Sequence, residues 1–341
     1  MKRFVLILIL LMGVFSCQPK HTEKTKTAPH FDKRTNLNNY LKAKQKAIKW
    51  INGLQLDLPA IQQKKLGEKK FLAEYLGFYW KCYKNETDTL KRNKIKKQLN
   101  PYYTYTLSQS YHNMQLVDDQ LFKKNSMSYL RVMWLLKEMG FDTTLYKQEV
   151  LKIKPRLDAQ LNIRGNWQKE VFKDYYTIFN LKMPQILLNT PLNNGIIAQQ
   201  LPFDKYNKSK VYKFTHFIFA GFEYGNKTTA SRFNKTELHY IEQILPQLAR
   251  EYRTVKPNID ILGELTTCMV FMGFTNTPEF EKSYRYLFEH QNPDGSWGSY
   301  EKARKRIGND INFRAYLHTT LVVFEAIEEY NRGTFPGSKK G

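Results

Sequence analysis

The amino-acid sequence predicts an all-α fold. Apolar residues recur at helical spacing, as in the stripe formed by Leu238, Ile241, Ile244, Leu245 and Leu248. No segment of six or more residues shows a convincing alternation of apolar and polar side chains, which a half-buried strand would require. Densely apolar segments alternate with amphipathic segments along the chain. Because a helix that is apolar all round belongs inside and a one-faced helix outside, this alternation predicts two concentric rings, an apolar inner ring and an amphipathic outer one.

The chain begins with a predicted signal peptide, residues 1–16. A basic start is followed by an apolar run over residues 4–15, which is too short to span a bilayer. Ser16 and Cys17 follow directly, and a small residue before a cysteine at this place resembles the lipobox of bacterial lipoproteins. The resemblance implies that Cys17 carries the acyl chains that anchor the protein to membrane lipid, in the periplasm or at the cell surface. The alternative is an ordinary secretory signal with an incidental cysteine.

The remaining chain divides into three predicted parts. Residues 17–36 are polar and rich in Lys and Thr, so they predict a flexible tether. Residues 37–334, about 300 in all, suit one large domain. Residues 335–341 predict a disordered tail. If Cys17 is lipidated, Cys82 and Cys268 remain, and they form either one disulfide or two buried thiols.

The charge balance is strongly basic. Lys and Arg number 54 against 31 Asp and Glu, which gives a formal net charge of +23. This charge favours anionic partners such as lipid headgroups and acidic glycans. No nucleic-acid-binding motif accompanies it, so nucleic acid is not predicted as a partner. The alternative is a basic, solvated surface without a specific partner.

The two predicted layers follow each other along the chain. Apolar segments begin near Tyr129, Tyr175, Thr215, Thr266 and Leu317, and amphipathic segments lie between them at 144–161, 194–201, 235–253 and 278–290. His216, Cys268 and His318 recur at nearly equal intervals, which indicates a repeated helix pair.

Residues 286–297 suggest a family. An aromatic residue and a Leu precede Gln291, and a Pro-Asp-Gly turn then leads to Trp297. This pattern resembles the QW motif of the terpene cyclase and protein prenyltransferase superfamily, and Gly165-Asn166-Trp167 is a degraded second copy. The resemblance implies an α/α toroid in which the QW turn is structural. It also implies that ligands bind in the central cavity, near the starts of the inner helices.

Polar residues stand at several of these predicted starts. We take His216, Glu264 and His318 as candidate catalytic residues, because imidazole and carboxylate groups transfer protons near neutral pH. Candidate ligand-binding residues are Tyr176, Cys268, Asn312 and Arg314.

Three interpretations of these residues stay open. No metal is firmly predicted. Protein prenyltransferases, which this sequence resembles, hold zinc at inner-helix starts, so Cys268, His318 and His216 are an alternative zinc set, although Thr266 stands where the family has an Asp ligand. Acid–base catalysis on an acidic glycan is the second interpretation, with an Arg neutralising a uronate. In the third, the histidines are hydrogen-bonded core residues.

The sequence also excludes some activities. It has no Asp-x-Asp-Asp string, which protonating triterpene cyclases require, and no serine-hydrolase or phosphate-loop pattern. The resulting expectation is an envelope lipoprotein that binds a ligand in a central cavity. An enzyme acting on an acidic glycan is the alternative.

Overall fold

The computed structural model describes residues 33–54, 56–63, 67–189, 195–229, 232–299 and 316–338. Every regular element in these ranges is helical and none is a strand, so the predicted all-α class is confirmed. The predicted signal peptide, Cys17, and the candidates Asn312 and Arg314 lie outside the described residues. The first helix begins at Lys33, so the predicted tether extends four residues too far.

The α-helices are, in chain order, α1 (Lys33–Asn52), α2 (Leu58–Gln63), α3 (Glu68–Lys84), α4 (Thr89–Thr106), α5 (Asp119–Glu138), α6 (Thr144–Gln160), α7 (Asn166–Ile178), α8 (Gln185–Leu188), α9 (Lys208–Gly221), α10 (Lys235–Arg250), α11 (Ile259–Met272), α12 (Pro278–Glu289) and α13 (Leu317–Arg332). Within the described ranges, no helix combines the length and apolarity needed to cross a bilayer.

Six helices, here called the ring helices, contact one another in a closed cycle. The cycle runs from α3 through α5, α7, α9, α11 and α13, and α13 contacts α3 again. The other helices pack against members of this cycle: α4 on α3, α6 on α5, α10 and α12 on α11, and α1 on α13. Successive ring helices are therefore separated in the chain by helices that do not belong to the cycle.

Burial separates the two kinds of helix. In α11, every residue from Ile261 to Phe271 is buried, whereas α10 buries mainly the stripe that contains Ile241, Ile244 and Leu248. A helix buried on all sides needs neighbours all round, and a one-faced helix needs them on one side only. The apolar pattern of the sequence thus corresponds to membership of the ring.

Four ring helices run in the same direction. Glu74 and Lys84 of α3 meet His318 and Glu329 of α13 in that order. Thr215 of α9 meets Glu264 of α11, and further along Phe222, just after α9, meets Phe271 of α11. We call the side where these four helices begin the open end of the ring, and the side where they finish the closed end.

The turn with the QW-like pattern joins three helices. The Gln291 side-chain amide donates to the Ala43 carbonyl of α1 at 3.0 Å. Trp297 is fully buried, and its indole nitrogen donates to the Leu287 carbonyl of α12 at 2.7 Å. The Trp297 backbone amide donates to the Thr320 hydroxyl of α13 at 2.9 Å. The turn thus satisfies a helix-end carbonyl and ties α12 to α1 and α13.

The closed end is covered by the chain's own last described residues. Phe335 is only 2% exposed and stacks on Phe271 with ring centroids 4.1 Å apart. The Gly337 amide donates to the Val270 carbonyl at 2.9 Å, and the Ser338 hydroxyl donates to the Glu329 carbonyl at 2.6 Å. The prediction of a disordered tail is therefore wrong for residues 335–338, because one aromatic side chain anchors them to α11 and α13.

Candidate functional site

The structure brings His216, Glu264 and His318 together at the open end. The Nδ1 atom of His216 lies 3.7 Å from one carboxyl oxygen of Glu264, and Nε2 of His318 lies 4.0 Å from the other. Glu264 is 2% exposed, whereas the two imidazoles retain 24% and 38% exposure. A buried carboxyl group therefore lies between two imidazoles that solvent reaches.

Local sequence places these side chains. The side chains of Asn207 and Asn258 cap α9 and α11 by accepting hydrogen bonds from Lys210 and Ile261 amides, so both helices begin at defined residues. Asp260 and Glu264 are four apart on α11 and share one face. With Glu74 of α3 they and the two histidines form what we call the ring-centre cluster: Glu74, His216, Asp260, Glu264 and His318.

Glu264 carries a proton at neutral pH. Burial raises its pKa to about 8, against the partial offset from His318 and from the Thr215 hydroxyl. That hydroxyl donates to Oε2 of Glu264 at 2.5 Å. The carboxylic acid can therefore act as a proton donor where an ordinary glutamate cannot.

His216 is neutral under the same conditions. Burial lowers its pKa to about 4, although a hydrogen bond with the Tyr212 carbonyl opposes the shift. The Trp167 ring packs edge-on against the imidazole with centroids 4.6 Å apart. Within the described ranges, Nε2 of His216 has no hydrogen-bond partner, so this nitrogen is free to accept a proton.

His318 forms an ion pair with Glu74. Their Nδ1 and Oε1 atoms lie 3.1 Å apart. Burial alone would lower the pKa of His318, but Glu74, Asp260 and Glu264 outweigh it and raise the pKa to about 9. Burial likewise works to raise the pKa of Glu74, and the hydrogen bond from His318 reverses that effect and lowers it. The pair is therefore charged at neutral pH.

Asp260 connects the cluster to the surface. Its carboxylate accepts hydrogen bonds from the Tyr212 hydroxyl at 2.5 Å and the Thr319 hydroxyl at 2.9 Å. Asp260 and Thr319 also line a cleft of about 590 Å³ whose wall includes Asn258 and Tyr286. Asp260 is the one member of the ring-centre cluster that lines this cleft.

Two residues that the sequence did not predict also face the cluster. The guanidinium carbon of Arg131 on α5 lies 6.0 Å from the centroid of the Tyr224 ring, and that ring lies 6.4 Å from the His216 ring. A sequence signal exists for Arg131, because it is the one charged residue in the apolar run from Tyr129 to Leu136. Glu74 stands out in α3 for the same reason.

Tyr224 sits on a strained turn. Glu223, Tyr224 and Gly225 have φ values of 48°, 53° and 93°, and the left-handed region is unfavourable for the two residues that carry side chains. Arg232 holds the turn by donating to the Glu223 carboxylate at 3.1 Å and to that of Asp174 at 2.6 Å. The surrounding ion pairs therefore hold Tyr224 in a backbone conformation that is unfavourable for a residue with a side chain.

Two predicted ligand-binding residues are buried in the structure. The Tyr176 hydroxyl donates to Asp158 on α6 at 2.6 Å, so this side chain points away from the ring-centre cluster. Cys268 is fully buried one helical turn after Glu264, and its sulfur lies 3.9 Å from the Thr215 carbonyl oxygen. Cys82 and Cys268 are both free thiols. The assignment of Tyr176 and Cys268 to ligand binding stays a prediction.

The zinc alternative gains no support. Among the residues that the structure describes, no group of three or more His, Cys, Asp or Glu side chains has the arrangement of a metal site. Burial also raises the pKa of the Cys268 thiol well above its ordinary value, whereas zinc binds the thiolate.

One family model matches part of the chain, and its function is unknown. Residues 185–327 match a family model described as a domain of unknown function (DUF6895). This match covers α8 to α12 and most of α13, and thus includes His216, Glu264 and His318. No curated protein and no solved structure matches the chain.

Proposed function

We propose that this protein is a lipid-anchored envelope protein that binds a ligand in its ring centre, and that the six ring helices are the inner ring of an α/α toroid. One observation carries the proposal: side chains from α3, α9, α11 and α13 converge at the open end, where solvent still reaches two histidines. A cleft of about 590 Å³ borders this cluster at Asp260. Such a concave site with a few convergent polar groups is what ligand binding requires.

An enzyme acting on an acidic glycan is the second candidate. It is favoured by the contrast between His216, which is neutral, and Glu264, which keeps its proton. Two adjacent groups whose environments drive their pKa values apart form a base and an acid that work at one pH. In this scheme His216 Nε2 removes a proton from the sugar and Glu264 supports the proton transfer to the leaving oxygen.

The enzyme is tested by incubating the full chain with uronate-containing polysaccharides and measuring new chain ends. We expect turnover of at least one polysaccharide, and we expect His216→Gln to slow it by about 10²–10⁴-fold because a general base is lost. His239→Gln serves as the matched control, because His239 lies exposed on α10, away from the cluster. Binding without turnover would reject the enzyme and leave the binding function. Equal loss in both variants would reject His216 as the base.

The lipid anchor is tested separately. Mass spectrometry of the mature chain is expected to show an N-terminal Cys17 that carries acyl groups. Replacement by Ser is expected to move the protein out of the membrane fraction, because the acyl chains supply the membrane affinity. An unmodified N-terminus at another residue would contradict the anchor without affecting the ring-centre proposal.

A further inference from the structure

Arg131 is a cation without a carboxylate partner. Among the residues that the structure describes, no carboxyl oxygen lies within 4.0 Å of its guanidinium group, and its Nε atom is buried without a hydrogen-bond partner. A guanidinium group offers five N–H donors, and leaving a buried donor unused costs stability. The part of the chain that the structure describes therefore leaves the hydrogen bonds of this arginine unused.

The nearby carboxylates are bound to other groups. Glu74 is paired with His318 at 3.1 Å and with Lys70 at 3.6 Å. Asp260 accepts the hydroxyl hydrogen bonds of Tyr212 and Thr319. The Glu264 oxygen nearest to α9 accepts from Thr215. The positive charge of Arg131 at the ring centre is consequently not neutralised by any of these three carboxylates.

Tyr224 adds a second unused group beside Arg131. Within the described ranges its hydroxyl has no hydrogen-bond partner, although its ring contacts Arg131, His216 and Phe219. The residue is only half-buried. The strained turn at 223–225 thus presents a phenol to the same space that the guanidinium group faces.

Arg131 packs closely against α3. A Cβ atom added to Gly77 would lie 3.2 Å from Nη2 of Arg131 and 3.6 Å from Cδ2 of Leu321, so the glycine allows the guanidinium group to approach the helix backbone. Glu74 and Gly77 are three apart and lie on the same face of α3, which places the guanidinium group next to the His318–Glu74 pair.

We propose that Arg131 and Tyr224 bind a carboxylate group of the ligand at the ring centre. This inference rests on the proposed function, because it needs a ligand in that place. A planar carboxylate matches the two parallel N–H groups of a guanidinium, and the phenol donates a third hydrogen bond. One unpaired positive charge suits one negative charge. A phosphate dianion would need a second free cation, but His318 and Lys81 are both paired with glutamates.

The test uses three sugars of similar size with the full chain: glucuronate, glucose and glucose 6-phosphate. Histidine imidazole signals in NMR spectra report binding, because His216 and His318 border the site. We expect glucuronate to shift both signals in a saturable way and glucose to shift neither at the same concentration. Arg131→Gln is expected to weaken glucuronate binding by about tenfold or more, and Tyr224→Phe by several-fold.

Two further variants guard the interpretation. Arg131→Lys keeps the charge and loses the two-pronged geometry, so it is expected to bind more weakly than the wild type and more tightly than Arg131→Gln. Arg285→Gln removes an exposed arginine of α12 and is expected to change nothing. Unliganded spectra that match the wild type show that a variant is folded.

The possible failures are distinct. If glucose and glucuronate shift both histidine signals equally, the ring centre binds ligands and the carboxylate site is rejected. Tighter binding of glucose 6-phosphate, or unchanged binding by both Arg131→Gln and Tyr224→Phe, also rejects it. If no sugar shifts either signal, the carboxylate site and its support for the proposed function are lost together.

Discussion

Two regions of the ring differ in how their charged side chains are paired. At the closed end, the Lys81 amine lies 2.5 Å from Glu325 and 3.1 Å from Glu329, and the Lys84 amine lies 3.0 Å from Glu329. Lysines and glutamates there are matched. At the ring centre, Arg131 has no carboxylate partner among the described residues, and at the open end Glu264 keeps its proton.

This difference separates structural charges from functional ones. A buried ion-pair network whose members all have partners holds helices together and offers nothing to a ligand. An unpaired donor and a protonated acid cost stability, and they persist where the surrounding structure enforces them. Perturbed groups in a cleft identify candidate functional residues, so the open end is where function is to be tested.

The largest expected effect on stability comes from removing one lysine from the ion-pair network at the closed end. Lys81 is about 1% exposed, and Lys81→Met would leave Glu325 and Glu329 with too little positive charge. We expect the free energy of unfolding to fall by about 3–5 kcal/mol, since removing one member of a buried pair strands the other. Urea denaturation followed by helical circular dichroism measures it.

The matched control is the same substitution at the ring centre. Arg131→Met strands no carboxylate, so we expect a change of about 1 kcal/mol or less. If Arg131→Met destabilises the protein as much as Lys81→Met, the two regions do not differ in the way argued above, and Arg131 is a structural cation.

A middle-sized effect is expected from the protonated acid. The folded-state pKa of Glu264, about 8, lies above its ordinary value of 4.5. Because the folded state holds this proton more tightly, its contribution to stability is complete below pH 4.5 and is lost as pH rises through 8. Glu264→Gln cannot ionise, so we expect little change at pH 5 and a gain of about 2–4 kcal/mol over the wild type at pH 9.

Urea denaturation at the two pH values checks this. His318 has a raised pKa as well, so its stabilising pair with Glu74 also weakens as pH rises through about 9, in both proteins. Because Glu264 itself raises the pKa of His318, the difference between variant and wild type measures Glu264 together with its effect on His318. Parallel stability curves from pH 5 to pH 9 would mean that Glu264 ionises normally in the folded protein.

The smallest expected effect concerns the contact between Gly77 and one nitrogen atom of Arg131. Gly77→Ala gains about 0.5–1 kcal/mol of helix propensity, but its Cβ crowds Nη2 of Arg131 at 3.2 Å. We expect stability to change by less than about 1 kcal/mol while glucuronate binding weakens, because the guanidinium group has to shift. Calorimetric titration alongside thermal unfolding measures both. A clear loss of stability with unchanged binding would show that the contact between Gly77 and Arg131 contributes only to packing.

Most of the fold could be predicted from the sequence. The apolar and amphipathic alternation predicted five of the six ring helices and missed α3. It succeeded for the five because burial on all sides or on one side leaves a periodic pattern. The Gln291–Trp297 turn was predicted as a structural turn, because its residue types restrict the geometry. By contrast, Phe335 was missed, since one aromatic residue in a short polar tail has no periodicity to reveal it.

The site was predicted in part, and the misses have physical causes. His216, Glu264 and His318 could be placed because they recur at equivalent points of the repeated pattern. Tyr176 bonds to Asp158 and does not face the cluster, because adjacent helical residues point about 100° apart and the apolar pattern did not fix the register of α7 closely enough. Trp167 was read as a structural QW residue, yet its ring packs on His216. Tyr224 depends on a left-handed turn that no sequence period encodes.

The contact between α3 and α13 has a consequence for biogenesis. Glu74 and His318 stand near opposite ends of the domain, so their pair forms only after the last helix has emerged and returned to the first ring helix. Such a non-local contact must overcome a large loop-closure entropy before it contributes any stability. A nascent or clipped chain that stops before Leu317 therefore has neither a closed ring nor a ring centre, and it exposes the apolar faces of α3 and α11 to chaperones and proteases.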